Sequence, residues 1–386
     1  MSLSPPPSGL EQELAAQARV DEIFLAARKR GAVADLSYAN PYDGPLAYAV
    51  QMLAAAAAST RPLSLQYTPY GGRAPARRAA AVDLSTVHGI PYDWHGIALT
   101  PGAMAALVAV FRSVRQRTGD RVALITPCWQ DYPIYLKNLG MEPVLVPLSK
   151  PTFELDCDRL AATLRDGPVA AVVLSQPANP TGVMYSASAL TDLARVLEQQ
   201  NPPPLLISDE AHRSYVLGSE PFAAPAAAYP HTCTIYSLGK GLMMQGQRTG
   251  YAAFSQHHPC HAEWARRIAD ACHFMGLCTP TALMQEALPQ LVKLRPDLAP
   301  LTRRREWLLA ALRTSHADVA PGRHTFFVYV RCLADDVSTV NRLAARGVLA
   351  LPGSLFHDPG YIRFSLTAED EMVHRAAEII ASERWQ

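Results

Sequence analysis

Lys240 is the residue that most constrains the chemistry. It follows Thr232–Leu238, a run of β-branched and aliphatic residues that reads as a buried strand. A lysine at the end of such a strand carries a charge that is costly to bury unless it is paired or removed. A Schiff base with an aldehyde cofactor would remove it. Ser237 lies three residues before this lysine and Arg248 eight residues after it, a hydroxyl and a charged fork suited to a phosphate. Gly102-Ala103-Met104, at the start of a helical pattern, could add backbone N–H groups and the positive end of a helix dipole to the same anion. These parts fit a phosphorylated cofactor.

The elements that must position these residues follow an α/β rhythm. Strand candidates are Ile97–Leu99, Arg121–Thr126, Pro143–Pro147, Val169–Ser175, Leu205–Ser208, Thr232–Leu238 and Thr249–Phe254. Between them Met104–Arg117, Tyr132–Leu139, Asp158–Arg165 and Ala187–Gln199 read as helices. Alternation of this kind builds crossover units on a doubly wound, mainly parallel sheet, with ligands beyond the carboxyl ends of its strands. Helical patterns at Pro259–Phe274 and Thr281–Leu312 follow. Strands at His324–Val330, Val348–Leu351 and Tyr361–Ser365, with helices at Val337–Arg346 and Glu369–Arg384, predict a smaller α+β domain. The expected division is an N-terminal arm over 1–45, a large cofactor-binding domain over 46–290 and a small domain over 291–386, joined by part of the arm. Gln66–Arg73 reads as an ordered loop, and His257-His258 as a solvated face.

Composition narrows the partner. With 49% hydrophobic and 18% charged residues the 386-residue chain can bury a large core. Lys plus Arg number 35 against 34 for Asp plus Glu, which argues against a nucleic-acid face and favours a small-molecule partner. The seven cysteines are scattered, with no C-x-x-C pair, which argues against a disulfide framework and against a metal site. No secretory signal and no membrane-length apolar run is visible, so the cytoplasm is the expected compartment.

Five motifs, in order and at suitable separations, resemble those of the class I/II aminotransferases, enzymes of the pyridoxal-phosphate fold type I. They are Asn179-Pro-Thr-Gly, Ser208-Asp209-Glu210, Ser237-Leu-Gly-Lys240, Gly246-Gln-Arg248-Thr-Gly250-Tyr251, and Pro352-Gly353-Ser354-x-Phe356 through Arg363. The resemblance covers roughly residues 35 to 380. It implies pyridoxal 5′-phosphate on Lys240, with the same lysine moving the substrate's α-proton. Asp209 would pair with the pyridine nitrogen, Trp129 would stack on the ring, and Asn179 would donate to its phenolic oxygen. Ser237, Arg248 and the turn at Gly102, Ala103 and Met104 would hold the phosphate. Tyr67 would reach the phosphate of a neighbouring subunit, and Arg363 would grip the substrate carboxylate, helped by backbone near Ala39 and Asn40 and by Asn179. A homodimer with shared active sites, acting on an amino acid and a 2-oxo acid, follows from the resemblance.

The chain departs from the family's pattern at three of these positions. His212 stands where a donor tyrosine is usual, Gly239 where serine is common before the lysine, and Ala39 where glycine is frequent. An imidazole at 212 that titrates near neutrality would make the activity profile depend on pH. Arg73, Arg77 and Arg78 could offer a second anion site for a dicarboxylate. Transamination is the leading expectation. Elimination, synthase or oxygen-using oxidation chemistry on the same fold, and a non-catalytic cofactor-sensing module, are the alternatives.

Overall fold

The computed structural model describes residues 9–59, 61–332 and 335–385. Its strands are β1 (Ala34–Asp35), β2 (Ile97–Thr100), β3 (Arg121–Thr126), β4 (Glu142–Pro147), β5 (Ala171–Ser175), β6 (Leu205–Asp209), β7 (Thr232–Ser237), β8 (Gly250–Ala253), β9 (Phe327–Arg331), β10 (Val348–Leu349), β11 (Leu351–Pro352) and β12 (Tyr361–Ser365). Seven of them form one sheet in the order β2-β8-β7-β6-β5-β3-β4. Pairing is parallel from β4 through β3, β5 and β6 to β7, and β8 runs antiparallel to both β7 and β2. The sheet is therefore mainly parallel with helices on its faces, as the alternation of patterns requires.

Two faces of this sheet are closed by separate apolar layers. Ala106, Leu107, Val110 and Phe111 of the helix Ala103–Arg117 pack with Val122, Leu124, Ile207, Ile235 and Trp264. On the other side, Leu160, Leu190, Leu193 and Leu197 pack with Ala123, Val172, Leu174 and Leu206. Residues of β5 and β6 thus alternate between the two layers with the period of two that a pleated strand imposes.

A second sheet, β11-β12-β9, is antiparallel, and β1 pairs in parallel with β10. Its core includes Phe327, Val328, Ile362 and Phe364, and also Val20 and Phe24 from the helix Leu10–Arg30. That helix lies in the segment expected only to be an arm. Its burial of Val20, Phe24 and Ala27 against the C-terminal elements ties the N-terminal residues to them.

Two patterns read as continuous are broken. Thr281–Leu312 is two helices, Ala282–Leu291 and Ala299–Thr314. Pro296 falls between them, and proline neither donates a backbone hydrogen bond nor lets its predecessor sit easily in the helical region. Asp297 then accepts the N–H of Ala299 at 2.9 Å. Val348–Leu351 divides at Ala350, because Val348–Leu349 follows β1 while Leu351 turns to pair with Arg363. Among the described residues no helix is long and apolar enough to cross a membrane.

Candidate active site

The carboxyl ends of β5, β6 and β7 converge on one cavity of about 240 Å3. Its lining includes Ala39, Asn40, Ala103, Met104, Trp129, Asn179, Asp209, His212, Ser237, Lys240 and Arg248. Residues widely separated in sequence meet here because parallel strands deliver their following loops to one edge. Gly102 precedes the helix that carries Ala103 and Met104, with φ 88. A β-carbon on Gly102 would displace the guanidinium of Arg248, and the left-handed φ of residue 102 favours glycine there.

Lys240 points into this cavity, with Nζ 3.4 Å from the carbonyl oxygen of Ala39 and 5.6 Å from the ring centre of Phe326. Burial lowers its pKa from 10.5 to about 8, with repulsion from Arg363 and Arg248 adding to the effect and Asp209 opposing it. The carbonyl oxygen of Lys240 accepts the hydroxyl of Tyr215 at 2.7 Å, which fixes the backbone from which the amine extends.

Asp209 ends β6 and is 6% exposed. Its Oδ2 accepts the hydroxyl of Tyr132 at 2.6 Å and its Oδ1 the N–H of Ala211 at 3.0 Å. Burial raises the carboxyl pKa, and these two donors and Lys240 pull it back. Trp129 stands edge-on to Tyr132 and Tyr135, with ring centres 5.4 and 5.8 Å away.

Arg363 is buried between the rings of Phe327 and Phe356, 4.1 and 4.6 Å from their centres. Its guanidinium donates to Oδ1 of Asn179 and to the carbonyl oxygen of Ser37, both at 2.9 Å. Burial lowers its pKa to about 9, which leaves it charged at neutral pH. Since an arginine only donates, the oxygen of the Asn179 amide must face it, and the Asn179 NH2 is turned elsewhere as a donor.

His212 corrects an expectation. Its ring lies 4.8 and 5.2 Å from those of Phe326 and Phe327. Burial, with Lys240 and Arg363 nearby, holds its pKa well below 6.5. It is a neutral imidazole at physiological pH and does not titrate near neutrality. His258 is likewise not a solvated face. At 3% exposure it packs by Phe254 and Trp264, and burial pushes its pKa down to about 4.

Other expectations are redirected too. Arg73 donates to the carbonyl oxygen of Ser64 at 2.6 Å and pairs with Glu286. Arg77 donates to that of Ile97 at 2.7 Å, and both Arg77 and Arg78 lie over the Trp94 ring. These arginines are tied into the surrounding structure and do not line the cavity. Tyr67 is 97% exposed and also lies outside its own chain's cavity.

Tyr132, Ser175, Ala211 and Gln245 line the cavity and were not singled out from the sequence. Ser175 had a legible signal, since it ends a strand; Tyr132 had a weaker one, an aromatic residue three positions after Trp129. Nothing local marked Gln245.

The cavity carries polar atoms that suit a phosphorylated aldehyde. Nδ1 of His212, Nε2 of Gln245 and Nε of Arg363 are buried without a hydrogen-bond partner among the described residues, as befits a polar ligand site. The Lys240 amine, the Asp209 carboxylate and the Arg248 cation beside a helix start suit, respectively, the aldehyde, ring nitrogen and phosphate of pyridoxal 5′-phosphate.

Comparison with known proteins gives the same direction. Probable aspartate/prephenate aminotransferase of Aquifex aeolicus is 27% identical over 326 residues, 79% of this chain and 80% of that one. In fold, an aminotransferase from Eubacterium rectale superposes with a TM-score of 0.88 at 23% identity over 94% of both chains. An Escherichia coli protein with a methionine aminotransferase function gives 0.84 at 23% identity, covering 99% of this chain and 100% of that one. The family described as aminotransferase class I and II matches residues 33–380, and the chain belongs to that family.

Proposed function

We propose that the chain transfers an amino group from an amino acid to a 2-oxo acid with pyridoxal 5′-phosphate held on Lys240. The observation that carries this reading is the meeting of Lys240 and Asp209 in one cavity whose wall residue Asn179 is hydrogen-bonded to Arg363. When bound, the cofactor's protonated ring supplies an electron sink for the pair left on the substrate's α-carbon.

The chain's own residues divide the remaining work. Lys240, its pKa lowered by burial to about 8, gives up its proton more readily than an ordinary lysine, so its Nζ would hold the aldehyde carbon, the aldehyde oxygen leaving as water. With a substrate amine on the cofactor in its place, Nζ would be the base that accepts the substrate's α-proton and the acid that gives it back. The carbonyl oxygen of Ala39, 3.4 Å from Nζ, orients the amine. Asp209 would pair with the protonated ring nitrogen, and Tyr132, which donates to it, favours the ionised carboxylate that this requires.

Arg363 offers a planar fork to the substrate's α-carboxylate, held open by the two phenylalanine rings. The Asn179 NH2 and the neutral His212 would donate to the ring's phenolic oxygen. Trp129 would cover one ring face. Tyr67, exposed on its own chain, serves the site of a second copy in a homodimer.

The test is an absorbance titration of the purified protein with single amino acids, with and without oxygen, followed by product analysis. The expected result is conversion of the cofactor to its amino form by one amino acid and restoration by a 2-oxo acid. Ammonia release without an acceptor, or oxygen consumption, would replace transamination with elimination or oxidation.

A further inference from the structure

Gly239 and Gln245 approach each other across the turn that follows Lys240. A β-carbon on Gly239 would meet Cα of Gln245 at 3.0 Å, the carbonyl oxygen of Met244 at 3.3 Å and the amide nitrogen of Gln245 at 3.5 Å. These are backbone atoms, so a side chain at 239 would have to push the turn itself away. The contact is closed by a hydrogen bond from the N–H of Met244 to the carbonyl oxygen of Gly239 at 2.8 Å. Met243, with φ 52, makes the bend.

The tight turn delivers Gln245 to the cavity wall, where Ala103, Met104, Ser237 and Arg248 also stand. Its carbonyl oxygen accepts from Arg248 at 2.6 Å and so anchors that guanidinium. Its side-chain Nε2 is buried and has no hydrogen-bond partner among the described residues. A buried amide donor without an acceptor is unfavourable in the free protein, and an acceptor supplied by a ligand relieves it. The groups around it include a hydroxyl, a helix start and a guanidinium, which together attract an anion.

We propose that the side-chain amide of Gln245 donates to the phosphate of the bound cofactor and takes the place of the hydroxyl that Gly239 lacks. This rests on reading the cavity as a pyridoxal 5′-phosphate site. The two positions form one device: the missing side chain at 239 lets the backbone of Gln245 come close enough for its amide to enter. An amide adds a donor without adding charge to a site that already holds Arg248 and Lys240.

The experiment measures the affinity of the full chain for pyridoxal 5′-phosphate and for pyridoxal, by equilibrium dialysis, in wild type, Gln245→Leu and Gln245→Glu. Gln245→Leu should weaken binding of the phosphorylated form by roughly 10- to 100-fold and leave pyridoxal within about twofold. Gln245→Glu keeps the shape, places a negative charge beside the phosphate and should lose more. Phosphorylated-form affinity within about twofold of wild type in both variants overturns the assignment, as does an equal loss for both ligands. A raised KM for the amino acid at unchanged cofactor affinity also overturns it. If wild type itself does not prefer the phosphorylated ligand, the reading of the cavity fails instead, so the two failures are distinguishable.

Discussion

The hydroxyl of Tyr132 donates to Oδ2 of Asp209 at 2.6 Å, across 77 residues of sequence. With Oδ1 accepting from Ala211, the carboxylate is held from two sides at the base of the cavity. Burial works to protonate Asp209, and Tyr132 is the first of the groups that oppose it. On the proposed reading Tyr132 is a positioning residue, since its hydrogen bond favours the ionised form of Asp209 that a cationic partner requires. Tyr132→Phe should raise the Asp209 pKa and lower kcat about tenfold, from loss of one hydrogen bond to a charged group. The pH profile reads it: the acid limb of kcat should move to higher pH, and an unmoved limb would remove Tyr132 from this role.

Lys240 has a signed effect on stability. Its pKa is about 8 folded against 10.5 for the ordinary amine. Below pH 8 both states are charged and the folded state carries the full cost of burying the charge. Between those values the folded chain has shed its proton while the unfolded chain keeps it, so stability rises with pH. Lys240→Met should abolish turnover and, in the cofactor-free protein, raise Tm at pH 7, with the gain shrinking toward pH 10.5. Thermal unfolding at both ends of that window checks it; an equal gain at both contradicts the assigned pKa.

His212 should contribute no limb to the activity profile between pH 6 and 8, because burial and the cations Lys240 and Arg363 hold it neutral. Nitrogen NMR of the ring at pH 6 should report a neutral imidazole. A ring that titrates near 6.5, the ordinary histidine value, would contradict the packing described.

Arg363→Lys keeps a charge but loses the fork set between Phe327 and Phe356. We expect kcat/KM for the amino acid to fall by roughly 100-fold, about 3 kcal/mol, with cofactor affinity unchanged. Equal losses in cofactor and substrate binding would show that Arg363 acts through the fold and not on the carboxylate.

Much of the fold was legible because its signals are local. Arg121–Thr126 and Tyr361–Ser365 were bounded as they occur, since buried strands read as short aliphatic runs between turn residues. The helix Leu10–Arg30 escaped because three of its four buried residues, Val20, Phe24 and Ala27, are confined to its second half and packed on distant partners. The helix Ala74–His88, rich in alanine and arginine, likewise carries little periodic contrast.

For the candidate site, residue types and spacing marked the side chains that matter: a lysine after a buried strand, an aspartate just after another, a serine and an arginine flanking the lysine. Those are properties of the chain's order and of strand and helix periodicity. Tertiary structure alone decided what depends on distance and burial. It joined Tyr132 to Asp209, turned the Asn179 oxygen toward Arg363, held His212 neutral among Phe326, Phe327, Lys240 and Arg363, and brought Gln245 against Gly239. Hydrogen bonds and desolvation act over a few ångströms in space, and separation along the chain does not encode them.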